Sequence, residues 1–479
     1  MREIVQGAVR AAVAAGAGYA DARLVEEDTE SLTVRNQEME GIDRSRSTGV
    51  GIRVLVDGYL GFAATASTAE ADVARTARLA VEIARAASRL PREPIRLSEV
   101  EPVIATWSSP MQEDPFTIPL EEKVALLMEA SRRMQGVQGV TFGEASLDFF
   151  RRHTFFCSSE GALIEQTVTQ SGGGIEATAI GDGELQRRSF PNSFRGHISA
   201  AGWEHIPRLA LVEEAERIGQ EAVDLLGAKD CPSETTTLII DSGQVGLQVH
   251  ESIGHPTELD RVLGMEEAYA GTSFLTPDDR GTLRYGSQLI NVTADATIAG
   301  GLGSFGFDDE GVPAQRVPLI VDGVFQEFQS SRETAAVLGE RSNGTMRADG
   351  WGNLPLIRMT NINLEPGEGS LEEIVGDTAD GILMSTNQSW SIDDKRVNFQ
   401  FGCEIAWRIK DGRRTELYRN PNYTGITTEF WGSCDAVGGR EEWVLWGTPN
   451  CGKGQPGQTA RVGHGTPPAR FRNVQVGVR

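Results

Sequence analysis

The sequence lacks any apolar run approaching the ~18 residues that a membrane-spanning helix needs. Its first ten residues, Met1 to Arg10, have no uninterrupted apolar centre, so they read as the start of an amphipathic helix and not as a secretion signal. Cysteine is scarce. The five cysteines (Cys157, Cys231, Cys403, Cys434 and Cys451) are odd in number and scattered, with no Cys-x-x-Cys pair. That pattern excludes a disulfide framework and, with the missing signal, points to the cytoplasm. Basic residues are also few: 45 Lys and Arg stand against 68 Asp and Glu, for a net charge of -23. A nucleic-acid binder needs a basic surface, so neither nucleic acid nor membrane is expected as a partner. The 479 residues are too many for one core, and two or three domains are expected.

What is present reads as an α+β chain. An N-terminal α/β region over 1–227 alternates helices with short strands and has a possible internal boundary near 91–115, where prolines gather. Helical spacing covers residues 2–15, 69–90, 120–134 and 207–226. Strands are expected over 21–40 and 49–65, with a hairpin at Asp57-Gly58. Residues 227–235 read as a polar linker. From 236 to 479 the pattern is a mostly antiparallel, barrel-like β domain carrying one helix that bears histidines. Strands are expected at 289–292, 317–321, 399–401 and 406–409, and hairpins at Asp322-Gly323 and Asp411-Gly412.

The chemistry-bearing segment is His250-Glu251-Ser252-Ile253-Gly254-His255-Pro256. A strand at Thr237–Asp241 leads into a helix capped by Ser242, and that helix delivers the histidines. Two imidazoles bind a metal without adding charge, and a neighbouring carboxylate takes a proton from the water that the metal acidifies. The spacing is one residue longer than His-Glu-x-x-His. At ~100° per residue, a regular helix would leave His250 and His255 about 140° apart. A bulged or broken helix between Ser252 and Pro256 is therefore expected, eased by Gly254 and by the effect of Pro256 on His255.

A third ligand is open among Glu258, Asp260, Cys434, Cys451 and His464. Cys451 lies in a Gly-rich segment beside Lys453, which would favour its thiolate, and chemistry alone favours it only slightly over Glu258. The donor set suits zinc best, though iron or cobalt could occupy it. Asp308-Asp309-Glu310-Gly311 reads as a polar turn, and Ser171-Gly172-Gly173-Gly174 as a Gly-rich loop without phosphate-binding character. Trp390 and Phe399 are expected in the core, the arginine pairs 132–133 and 151–152 on solvated faces, and His464 in a loop.

The chain resembles the TldD half of the TldD/TldE (PmbA) metallopeptidases. The resemblance is carried by His250–His255, Gly306-Phe307-Asp308-Asp309-Glu310-Gly311-Val312-Pro313, Arg358-Met359-Thr360-Asn361 and Cys451-Gly452-Lys453-Gly454-Gln455. It implies a zinc ion held by His250, His255 and Cys451, with Glu251 as general base. It also implies a dimer, with a TldE-like subunit or a second copy, enclosing a cleft where extended or unfolded peptides are cut. Two rival readings are a non-catalytic peptide-binding partner subunit and a metal-dependent amide hydrolase of small molecules.

Overall fold

Long strands dominate the first two hundred residues. Tyr19–Arg35, Glu38–Val56, Val140–Ser158 and Leu163–Gly181 run for 17 to 19 residues each in one antiparallel sheet. The structure, a computed structural model, describes residues 1–478 apart from Arg92, Asp182 and Phe194. The short strands expected here are corrected, as is the single strand over 21–40. The chain reverses at Asn36-Gln37, where φ values of 52° and 60° make the tight turn that glycine normally signals.

Ser171–Gly174 is not a loop but the middle of a strand. A Cβ on Gly172 would meet the Ile198 backbone at 2.4 Å, so bare glycine lets the short strand His197–Ser199 lie against it. Helices Arg2–Ala14 and Glu70–Ala87 pack Val5, Ala8, Ala77 and Val81 onto Leu24, Ile52 and Val54. Helices Leu120–Gly136 and Leu211–Gly227 pack Leu127, Ala130, Ile218 and Ala222 onto Leu32, Leu147 and Ile175.

In the second half, five strands close into a ring. Asp380–Ile392 pairs Glu234–Ile240, then Ala469–Val476, Asn422–Ile426 and Asn398–Lys410 follow, and the last pairs back with Asp380–Ile392. Only the Glu234–Ile240 and Asp380–Ile392 pair in this ring is parallel. Closure removes edges, and the interior holds Leu238, Met384, Phe401, Tyr423 and Phe471. The segment expected as a linker contributes a strand, Lys229–Asp230, which pairs with Tyr418–Arg419. The strand expected at 289–292 begins at Val292 and runs to Asp295. The Asp-Gly turns at 57, 322 and 411 all join paired strands.

Arg132 and Arg133 are solvated and bond Glu129 on their own helix. Arg151 and Arg152 are not on a solvated face. They pair with Asp114 and Glu27, because both faces of their strand are covered. Among the described residues no helix is long and apolar enough to cross a membrane.

Candidate metal centre

The strand Glu234–Ile240 ends at Asp241, which caps the helix Ser242–Val249 by accepting the Gln244 N–H at 2.8 Å. The cap is thus Asp241 and not Ser242, whose hydroxyl instead donates to Thr466 O. At His250 the helix widens into a π turn, His250–Gly254, then tightens into a 3-10 turn, His255–Thr257. This is the distortion that the 140° mismatch requires. The carbonyls it displaces find other donors. Tyr285 Oη donates to Ser252 O, Thr257 Oγ1 to Ile253 O at 2.9 Å, and Gln329 Nε2 to Gly254 O at 2.9 Å. Gly254 is required by contact as well as by backbone: a Cβ there would sit 2.1 Å from Met359 Sδ.

Cys451 arrives from the far end of the sequence, on the hairpin Val444–Lys453 and Gln458–Thr466. A bulge between Thr448 and Cys451 turns it toward the π turn. One ligand atom from each of His250, His255 and Cys451 lies within 4.8 Å of the others, and all three residues are buried. Cys451 Sγ is 3.7 Å from His255 Nε2.

Each imidazole is anchored through its other nitrogen. His255 Nδ1 is 2.9 Å from Glu258 Oε2, and His250 Nδ1 is 2.8 Å from His464 Nε2. Glu258, the rival third ligand, therefore stands behind a histidine, on the nitrogen turned away from Cys451. Asp260 bonds Lys453 Nζ at 2.7 Å, and Cys434 Sγ lies 3.5 Å from Ala436 O. Lys453 does not face the thiol but sits among Glu258, Asp260 and Glu266.

Burial pushes the Cys451 thiol up. The His250 imidazole, the Arg358 guanidinium and the His255 imidazole outweigh it and hold the thiol well below its usual range. Arg358 also donates to Cys451 O. Burial lowers the His250 imidazole, but the Cys451 charge more than restores it. For His255 burial wins, and its pKa lies well below the ordinary value. A buried thiolate facing two imidazoles whose outer nitrogens are already bonded is the donor chemistry of a zinc site, so these residues fit the ion.

Glu251 Oε2 accepts from Arg396 Nη1 at 2.5 Å, and among the described residues Oε1 has no hydrogen-bond partner. These groups open into a cleft of about 420 Å³ with Trp390 and Trp446 on its walls. Two expectations are corrected here. His464 is no loop residue but a strand residue, 1% exposed, directly opposite Trp446. Trp390 is 46% exposed and lines the cleft, whereas Phe399 is in the core as expected. Asp308 to Gly311 is the polar turn expected, but two of its acids are buried. Asp308 and Glu310 are buried and accept from Met346 N and from Arg53 and Arg332.

Sequence reasoning also missed Arg396, which sits with φ at 66° in the hairpin turn that leans over the cleft. The flanks of His464 carried a faint signal. Gly463 and Gly465 admit no Cβ, which would fall 2.1 Å from Asn361 Oδ1 and 1.7 Å from the Trp443 ring.

The PmbA/TldA metallopeptidase C-terminal domain model matches residues 233–478, just over half of the chain. The chain belongs to the PmbA/TldD metallopeptidase family. The models for domain 1 and the central domain of that family match residues 20–84 and 113–229. A metalloprotease of Methanothermobacter thermautotrophicus is 30% identical over 464 residues, 96% of this chain and 95% of its own. One of Methanocaldococcus jannaschii is 28% identical, covering 93% and 94%. A zinc metalloprotease TldD homologue of Saccharolobus solfataricus is 27% identical over 49% of each chain. TldE from Thermococcus kodakarensis shares the fold at 17% identity, with a TM-score of 0.70 over 99% of this chain and 100% of that one.

Proposed function

We propose that the chain is a zinc-dependent peptidase that cuts extended or unfolded peptides. His250, His255 and Cys451 hold the ion and Glu251 acts as general base. The observation that carries this reading is the convergence of three buried donor atoms within 4.8 Å beside a glutamate that opens into a cleft.

When bound, zinc supplies Lewis acidity toward a water and toward a peptide carbonyl. The protein's own residues do the rest. Arg396 fixes Glu251 through Oε2, leaving Oε1 to accept the proton of the attacking water and pass it to the leaving nitrogen. Glu258 and His464 fix the ring orientation of the two histidines. Trp390 and Trp446 offer apolar walls to substrate side chains. Among the described residues the strand Val444–Lys453 pairs with Gln458–Thr466 alone, so its other edge is available to an extended peptide backbone, which gives weak sequence preference. The family and the TldE likeness support assembly with a TldE-type subunit, with a second copy as the alternative.

Digestion of an unfolded peptide library tests this reading. Cleavage that disappears with a chelator and returns with zinc supports it. A zinc-loaded chain, tested alone and with a TldE-type subunit, that leaves every peptide intact contradicts it.

A further inference from the structure

A second cavity, of about 280 Å³, lies beside the metal centre and takes no part in holding the ion. Its floor follows from strand alternation, because residues two apart on a strand share a face. Register puts Glu27 opposite Arg152, Thr29 opposite Phe150, and Gln170 opposite Phe150 on the other side. All of these line the cavity, and Phe305, Arg347 and Arg461 from the second half cover it. The strand Val444–Lys453 runs between cavity and cleft: Pro449 lines the first, Thr448 and Asn450 the second.

Three guanidiniums enter this space. Arg152 is paired with Glu27. Arg347 donates to Met359 O and Arg461 O and lies over the Phe305 ring. Arg461 lies 4.1 Å from the centroid of Phe150, and among the described residues its side chain donates no hydrogen bond. Neither Arg347 nor Arg461 forms an ion pair among the described residues.

The carboxylates of the lining each bond another group, Glu27 among them through Arg152. Asp309 takes Arg23 and Ala348 N, Asp349 takes Thr459 N, and Asp308 takes three backbone N–H groups. Burial and neighbouring cations, Arg358 and Arg152 foremost, pull Arg347 down to about 9. Burial and Arg152 pull Arg461 down to about 10. Among the described residues no carboxylate touches either guanidinium, and burial outweighs the more distant Asp309 for Arg347 and Asp148, Glu27 and Asp349 for Arg461, so an anion between the two would relieve both. Fork-shaped donors over aromatic faces suit a carboxylate better than a spherical ion. Gln170 adds a second cue: it is 2% exposed, and its Oε1 has no partner. An acceptor beside a carboxylate subsite matches the N–H of a terminal peptide unit.

We propose that this cavity is a carboxylate subsite that receives the C-terminal end of the peptide. The inference rests on the peptidase reading above for the identity of its ligand. A side-chain carboxylate carries the same charge, so the test separates the two sources.

Binding is measured on the full chain carrying Glu251→Gln, loaded with zinc, so that nothing is cut. Three heptapeptides are compared: a free acid, its C-terminal amide, and an amide ending in Asp. The free acid is expected to bind about tenfold tighter than the plain amide. Adding Arg461→Gln is expected to bring the two within twofold. If the Asp-ended amide matches the free acid, the carboxylate is a side chain and the C-terminal assignment is overturned. Equal binding of all three, or binding of none, overturns the subsite altogether. Cleavage of the plain amide by the wild-type chain reports separately on the peptidase reading.

Discussion

The acidic turn Asp308–Gly311 and the histidine cluster are both buried and rich in metal-binding side chains, and of the two the histidine cluster has the donor atoms to spare. In the turn Asp308–Gly311 both carboxylate oxygens of Asp308 and of Glu310, and Oδ2 of Asp309, are consumed by the protein. Asp308 takes the Glu310, Val312 and Met346 N–H groups, Asp309 takes Ala348 N, and Glu310 takes Arg53 and Arg332 N. At His250, His255 and Cys451 the outer nitrogens are bonded, and the inner donors face one another. The acidic turn is a fastener joining the two halves of the chain, while the histidine cluster is a socket. What separates them is the number of uncommitted donors, not the number of acids.

Substitutions should break this contrast in opposite ways. The largest effect belongs to Glu251→Gln, which should lower kcat by about 10²–10⁴ while metal content stays at the wild-type level. Glu310→Leu should do the reverse. It leaves Arg53 with Asp21 as its one ion-pair partner among the described residues, beside Tyr19 Oη, and should cost about 3 kcal/mol in denaturant unfolding, with zinc affinity unaltered in the folded fraction. His464→Leu should weaken zinc about 10–100-fold in chelator competition, and His464→Gln should restore most of it, because its oxygen can accept from His250 Nδ1. Gly254→Ala should cost about 1–3 kcal/mol of stability, because Met359 must move.

Much of this was legible where the causes are local. His-Glu-x-x-x-His lies in six consecutive residues, and its misfit to 3.6 residues per turn pointed to the widened helix. The Asp-Gly pairs marked their hairpins, and the strand-rich second half read as a barrel-like domain. What was not legible comes from long-range pairing. His464 meets His250 only because Gln458–Thr466 folds back on Val444–Lys453. Arg396 and Trp390 reach the cleft from the hairpin Asp380–Ile392 and Asn398–Lys410, far from the motif in sequence. Lys453 misled because it follows Cys451 by two residues, yet three acids claim it. The Asn36-Gln37 reversal was missed because it uses positive φ without glycine.

The most direct measurement is zinc content of the purified wild-type chain beside Cys451→Ala and Glu251→Gln, each after zinc loading and dialysis. The geometry predicts about one zinc per chain in the wild type and in Glu251→Gln, and none in Cys451→Ala. Zinc retained in Cys451→Ala, or absent from the wild type, would contradict the three-residue site.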